Sequence, residues 1–434
     1  MPAVSWRRGD GVNPSLAATA ASDAPVWPQQ FRKVRADSVA LAAPLSAEDQ
    51  TLQSMPDASP TKWHLAHTSW FFETFLLEPH LPGYRSFHSM FGYLFNSYYD
   101  AVGARHPRPQ RGMLSRPGVA EIAAYRAHVD AGMVRLFDRR TRHGVAPLIQ
   151  LGLHHKQQHQ ELILMDIKHA LSLNPLQPAY RHRDSVSGAA APPMGWRSFA
   201  GGLHWVGHDG AGFAFDNEGP RHKIWLEPFR LATRPVTNGE FLAFIEAGGY
   251  RRPEFWLSDG WAAVQAQHWT APLYWRQAEG GDWSVFTLGG RLTLDPREPV
   301  CHVSYYEADA FAKWAGRRLP RESEWEVAAT AVSTDGNFAD AGRLHPAPAS
   351  DGDALQQMFG DVWEWTTSAY APYPGFRVPG GAIGEYNGKF MSGQMVLRGG
   401  CAVTPSAHIR ATYRNFFPPA ARWAFSGIRL VEDA

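Results

Sequence analysis

His155 and His159 stand four residues apart in HHKQQHQE (154–161), inside a long stretch of helical patterning. A helix turns every 3.6 residues, so positions i and i+4 sit about 40° apart on one face, roughly 6 Å along the axis. Two imidazoles so placed can grip one metal ion. A third is available upstream, where His67 lies in the aromatic-rich segment WHLAHTSWFFETF (63–75). Glu161 follows His159 by two residues, about 200° around the helix, and is expected to point away from the pair. A local set of two histidines and one carboxylate is therefore disfavoured, and three imidazoles are expected. Three such ligands with open positions suit Zn, Fe(II) or Cu. An isolated HxxxH also occurs on ordinary polar helix faces, so the elements that carry it decide its meaning.

Apolar residues recur at three- and four-residue spacing over 27–42, 46–78, 118–138 and 145–173, with Gly or Pro clusters between these segments. Four such segments predict a four-helix bundle over 27–175, and bundles place metal sites between facing helices. SMPDASP (54–60) interrupts the second segment, and Asp57 or Ser59 is expected to cap the helix that carries His67. Residues 1–26, biased towards Ala, Ser and Pro, read as a disordered arm, and 176–196 as a linker. From 197 to 434 the chain is rich in Gly, Trp and Pro, with short β-like runs and two clear helices. TNGEFLAFIEAGG (237–249) is opened by Thr237 or Asn238; SYYEADAFAKWAGRRLP (304–320) begins with Ser304 and has Glu307 three later, a capping box. The expected fold class is an α-helical bundle followed by an irregular α+β domain.

Composition narrows the partners. At 434 residues, two or three domains are expected. Lys+Arg 42 against Asp+Glu 41 gives a formal charge of +1 with no basic stripe, so no nucleic acid and no membrane surface is expected as a partner. Cys301 and Cys401 have neither zinc nor redox spacing, which fits a reducing cytosol. No apolar run reaches the ~18–20 residues that span a bilayer, and residues 1–26 contain no compact apolar core of a secretion signal. A cytoplasmic location is expected. The 17 Trp, 14 Tyr and 24 Phe serve any core, and equally a site that holds a bulky cation.

The C-terminal half resembles formylglycine-generating-enzyme-like domains, which have a C-type-lectin-related fold. The matching stretches are ATRPVTNGEFLAFIEAGGY (232–250), PVCHVSYYEADAFAKWAGRRLPRESEWEVAA (299–329), GDVWEWTTS (360–368) and VLRGG (396–400). The N-terminal half resembles DinB-like four-helix metal-binding domains through SPTKWHLAHTSWFFETF (59–75), LFNSYYDAVGARHPRPQRG (94–112) and LGLHHKQQHQELILMDI (151–167). Together, over about residues 45 to 432, the chain resembles the EgtB-type sulfoxide synthases of the ergothioneine pathway. That resemblance implies a non-haem Fe(II) enzyme that uses O2 to join a thiol to carbon 2 of the imidazole of hercynine, leaving the sulfur as a sulfoxide. It assigns His67, His155 and His159 to iron, the set the helix spacing selects. Three imidazoles leave room for reactants to meet at one centre, which turns an encounter into a local step.

The same resemblance places Gln158, Asn415, Phe416 and Tyr386 around hercynine, and Arg108, with Arg111 as its neighbour, on a substrate carboxylate. A quaternary ammonium has no N–H, so an aromatic face suits it, whereas the planar fork of arginine suits a carboxylate. Two departures carry information. In the branch that uses γ-glutamylcysteine, Asn415 would be followed by Trp and Asp, with Arg four residues beyond; here those positions are Phe416, Phe417 and Ala421. An apolar site cannot hold a charged arm, so free cysteine is the expected donor. The pair Tyr98–Tyr99 resembles a second branch, in which adjacent tyrosines serve the iron site as proton donors. The GDVWEW and RLPRESEWE motifs are read as scaffold, and Cys401 lacks the nearby partner that formylglycine generation needs. Competing expectations are use of histidine, γ-glutamylcysteine or a selenium donor, or a non-catalytic metal bundle fused to a ligand-binding module.

Overall fold

The computed structural model describes residues 27–139, 144–182 and 191–434. The expected disordered arm (1–26) and positions 183–190 of the expected linker lie outside the described residues.

Four long helices build the N-terminal half: α1 (Trp27–Ala42), α2 (Thr61–Phe72), α3 (Val119–Phe137) and α4 (Ala146–Leu173). All twelve residues of α2 are buried. It is the central helix, packed against α3 and α4, while α1 covers α3 and α4 from outside. Trp70, Phe71, Phe72, Leu76, Val129, Met133 and Leu164 form a fully buried apolar centre. Beyond Phe72 the helix widens into a π-helical turn, Glu73–Leu77. The Glu73 carboxylate there accepts the hydroxyls of Tyr84 and Tyr125, each at 2.6 Å.

The expected cap of α2 is not found. Pro60 precedes the first turn, and its carbonyl accepts the Trp63 and His64 amides. Ser59 is engaged elsewhere: its amide donates to Asp166 on α4 (2.8 Å) and its hydroxyl accepts from Arg111 (2.9 Å). Tertiary partners have thus taken the side chain that local pattern assigns to capping. The helical reading of 46–78 also breaks, leaving only a 3-10 turn at Asp49–Thr51 before α2.

The C-terminal half is a set of small sheets around one buried network. β1 (Trp196–Phe199) and β12 (Val431–Asp433) both run antiparallel to β4 (Phe229–Ala232), so the two ends of this half share a sheet. β2 (Gly202–Val206) and β3 (His222–Leu226) form a hairpin; β5 (Trp275–Gln277), β6 (Trp283–Thr287) and β7 (Gly290–Thr293) form a meander. The sheet nearest the bundle has the order β10 (Asn415–Phe417), β9 (Met395–Arg398), β8 (Trp363–Ala369), β11 (Ser426–Gly427). Four helices, α5 (Asn238–Glu246), α6 (Ser258–Gln267), α7 (Tyr305–Trp314) and α8 (Glu322–Ala329), complete it.

The expected capping box of Ser304 with Glu307 forms, and Thr237, one of the two residues expected to open its helix, caps it in a second box with Glu240. The run read as helical to 320 stops at Trp314, because Gly316 takes φ +66°, a left-handed conformation that ends a helix. Inside this half, Arg398 meets Glu326 (2.7 Å) and Glu322 (3.2 Å), Arg414 meets Glu322 (2.8 Å), and Arg429 meets Glu364 (2.7 Å). The GDVWEW and RLPRESEWE motifs supply these glutamates, so their conspicuous residues hold the scaffold together.

Candidate metal centre

Two helices bring the three histidines together. His67 comes from the middle of α2, and His155 and His159 from successive turns of α4. One ring nitrogen from each lies within 4.8 Å of the others, and no carboxylate belongs to the set. Nε2 of His67 and Nε2 of His155 face each other at 3.2 Å. Glu161 points away, as its spacing implies: its carboxylate accepts Trp363 Nε1–H (2.7 Å) and the Thr404 hydroxyl (2.5 Å) from the C-terminal half.

Burial keeps all three rings neutral. His67 and His159 are held well below the usual imidazole range by desolvation, then by the neighbouring ring of His155. The His155 pKa is pushed down to about 3, again by burial first. Neutral imidazole is the form that ligates. His67 donates from Nδ1 to the Phe95 carbonyl (2.6 Å), which leaves Nε2 bare. Three converging neutral nitrogens with no acid among them fit a borderline divalent metal such as Zn, Fe(II) or Cu.

Aromatic rings wall the centre. The Trp63 indole stacks on His67 (4.7 Å, 11°), and Trp70 stacks on it as well (5.4 Å, 16°). Tyr386, from the C-terminal half, meets His155 edge-on at 5.5 Å. Its hydroxyl donates to Gln158 Oε1, while Gln158 Nε2 donates to the Tyr413 hydroxyl (2.7 Å). Of the sequence-selected residues, Gln158 and Tyr386 therefore meet directly beside the ligand set.

Tyr98 and Tyr99 stack on each other (4.7 Å). Tyr99 is fully buried against Trp70 and Phe75, and its hydroxyl has no well-formed hydrogen bond among the described residues. Tyr98 is half-buried and faces Tyr386 (6.3 Å) and Phe390 (5.2 Å). Desolvation raises all three phenols, which stay protonated at neutral pH. Phe416 lies on β10, stacked on Tyr370 at 4.0 Å, and Phe390 extends that aromatic surface at 5.9 Å. Asn415 turns its Oδ1 onto the Phe416 amide (2.9 Å).

The two arginines part company. Arg108 is exposed and donates to the Asp57 carbonyl. Arg111 is buried, its guanidinium 3.5 Å above the face of Trp63, whose ring also stacks on His67. Arg111 reaches the hydroxyls of Ser59 (2.9 Å) and Ser97 (3.2 Å), makes no ion pair among the described residues, and leaves Nε without a partner. Its pKa falls to about 8, chiefly through burial.

Sequence pattern missed several residues that touch this region. His64 and Asp166 stand behind His159, and Tyr413 fixes Gln158. Asp216, partnered by Asn387 at 2.6 Å, keeps one carboxylate oxygen unpartnered. The i, i+3 spacing of His64 and His67 was a readable signal, whereas Asp216 opens a three-residue 3-10 turn, Asp216–Glu218, too short to leave a pattern. The two halves also clasp each other over the site: Glu385 accepts the amides of Asp100 (3.0 Å) and Ala101 (2.8 Å), and Lys389 donates to the Tyr98 carbonyl.

Comparison with known proteins follows this two-part plan. Residues 30–163 match the DinB superfamily, and residues 195–354 and 348–434 match the sulfatase-modifying factor enzyme 1-like domain. The chain is 33% identical to the hercynine oxygenase of Mycolicibacterium thermoresistibile, over 87% of this chain and 88% of that one. It is 34% identical to the hercynine oxygenase of Mycobacterium tuberculosis, over 87% and 92% respectively. Ergothioneine biosynthesis protein 1 of Schizosaccharomyces pombe is 30% identical over 51% of this chain and 28% of its own length. With both modules matched in order and the mycobacterial relatives aligned across nearly their whole length, the chain belongs to the hercynine oxygenase family of oxidoreductases.

Proposed function

We propose that this protein is an iron(II)-dependent sulfoxide synthase that joins the sulfur of cysteine to carbon 2 of the imidazole of hercynine, at the expense of O2. In the overall reaction the imidazole C2–H, the thiol S–H and the O–O bond are lost. A C–S bond and a sulfur–oxygen bond form, and the second oxygen leaves as water. The four electrons given up by the organic substrates equal the four that O2 accepts. The observation that carries this reading is the convergence of three neutral, buried imidazoles with no carboxylate. When bound to them, iron(II) supplies open coordination positions and the redox chemistry that activates O2.

The chain's own residues bind, orient and protonate. Gln158, held by Tyr413 and Tyr386, presents a fixed amide beside the ligand set for the hercynine ring. The Phe416, Tyr370 and Phe390 rings offer the aromatic surface that a trimethylammonium prefers. Arg111 takes the role of carboxylate anchor for the thiol substrate, because it is buried, unpaired by acid and one ring's thickness from His67. Arg108 has its guanidinium on a backbone carbonyl instead. Tyr386 and Tyr98, with their raised phenols, are proton and hydrogen-bond donors at neutral pH, not bases. Phe417 and Ala421 give no charged group to hold a glutamyl arm, which favours free cysteine.

The test supplies anaerobically reconstituted protein with hercynine, cysteine and γ-glutamylcysteine in competition, admits O2, and identifies the products by mass spectrometry. Hercynyl-cysteine sulfoxide is the expected main product. A dominant γ-glutamyl product would overturn the assignment of the thiol. Absence of O2 uptake with iron and both substrates present would overturn the reaction itself.

A further inference from the structure

A fourth histidine of the bundle makes no part of the ligand set yet contacts it. His64, three residues before His67 on α2, is 2% exposed and sets its Nδ1 against Nδ1 of His159 at 2.8 Å. Its Nε2 faces Oδ2 of Asp166, two turns beyond His159 on α4, at 3.0 Å. The same oxygen accepts the Ser59 amide at 2.8 Å. A buried line of hydrogen bonds thus runs from the start of α2, through Asp166 and His64, to a candidate metal ligand.

Its direction can be worked out from donor and acceptor inventories. Two ring nitrogens that share a hydrogen bond need one proton between them, so either His64 or His159 donates. The Ser59 amide is always a donor to Oδ2 of Asp166, and an ionised carboxylate can only accept. That oxygen then takes the proton on Nε2 of His64. With a single N–H on the His64 ring, Nδ1 is left as an acceptor. His159 must donate from Nδ1, and its Nε2 is bare. The opposite direction would put a proton on Nε2 of His159 and close that nitrogen to a metal. Once a metal sits on Nε2, only the first direction is possible.

We propose that Asp166 and His64 are positioning residues that set the tautomer and orientation of His159, keeping its Nε2 free before a metal arrives. This rests on reading His67, His155 and His159 as the metal set. The three ligands differ in this respect. The tautomer of His67 is fixed by a backbone carbonyl, and Nδ1 of His155 has no partner among the described residues. His159 alone of the three depends on a side-chain relay, which substitution can alter without touching a ligand. Outer partners of this carboxylate–histidine kind commonly govern both ring orientation and metal affinity.

The experiment measures Fe(II) and Co(II) affinity of the metal-free full-length protein by competition with a chromogenic chelator, together with the visible spectrum of the Co(II) form. Asp166→Leu and His64→Phe remove the acceptors, and each should weaken binding by about 10- to 100-fold and shift the Co(II) bands. Asp166→Asn keeps an oxygen for both donors, and His64→Asn keeps one near the position of Nδ1. Both should recover most of the affinity, a split that loss of packing alone would not produce. Should Asp166→Leu fail to fold, the His64 pair decides. Wild-type affinity and an unshifted Co(II) spectrum in Asp166→Leu and His64→Phe would overturn the relay. Metal binding that survives His67→Ala and His155→Ala would instead overturn the metal site on which it rests.

Discussion

The two halves of this chain bury basic groups in opposite ways. In the C-terminal half, Arg398, Arg414, Arg422 and Arg429 each meet a buried glutamate, and Glu364 also takes the Trp325 indole N–H at 2.6 Å. Near the centre of the bundle, His67 and His155 face each other, and Arg111 has hydroxyls and an indole face but no acid. Away from that centre the bundle follows the other half's rule, with Arg35 on Asp130 at 2.6 Å. Saturated networks hold a fold, because removing one partner strands the other in a dry interior. Buried basic groups with no acid beside them are candidates for binding something else.

The largest effect is expected at His159. His159→Ala should abolish metal content and O2 uptake, exceeding the roughly 100-fold effects typical of outer-shell partners. The metal-free protein should stay folded and lose about 1–3 kcal/mol, because His64 Nδ1 is left without its partner. Elemental analysis and calorimetry check both, and a collapse of the metal-free fold would break the contrast. Glu364→Ala should do the reverse. It strands Arg429 and the Trp325 N–H, at a cost of about 3–5 kcal/mol in urea denaturation. Metal affinity of the folded protein should stay at its wild-type value.

Tyr386→Phe sharpens the picture at the seam. Turnover should fall by about 10²-fold, with product moving from sulfoxide towards cysteine sulfinate while metal content persists. Tyr98→Phe should show the same shift to a lesser degree, and Tyr99→Phe the least, because Tyr99 sits behind Tyr98 against Trp70. An unchanged product ratio in all three would remove the phenols from the reaction. The smallest effect is expected at Glu161. Glu161→Leu leaves the Trp363 N–H without its acceptor, costing about 1–3 kcal/mol, whereas Glu161→Gln should cost about 1 kcal/mol or less. Equal losses in the two would mean that packing, not the hydrogen bond, joins α4 to β8.

Helix α2, buried on every side, was found only inside an over-long segment, 46–78, whereas periodicity identified α1, α3 and α4, which repeat their signal along many turns. The spacing of His155 and His159 was legible for the same reason. His64 was less so, although it lies one turn from His67: a sequence shows which face a histidine occupies, not which way its ring turns. Ser59 matched the pattern of a cap, and Arg111, 52 residues away, took its hydroxyl instead. In the C-terminal half the strands are two to seven residues long and their register is set by packing, so α6, α8 and the three-residue β10 carrying Asn415 and Phe416 left little local trace. Arg108 and Arg111 share a motif, and only tertiary structure shows that one is exposed and the other enclosed.

The clasp made by Glu385 and Lys389 has an evolutionary consequence. The loop bearing Tyr98 is gripped by the loop bearing Tyr386, and each belongs to a different module. A recombinant that inherited its bundle from one ancestor and its partner module from another would receive mismatched sides of one doorway. Grafting this chemistry onto another scaffold would therefore call for transplanting both loops together.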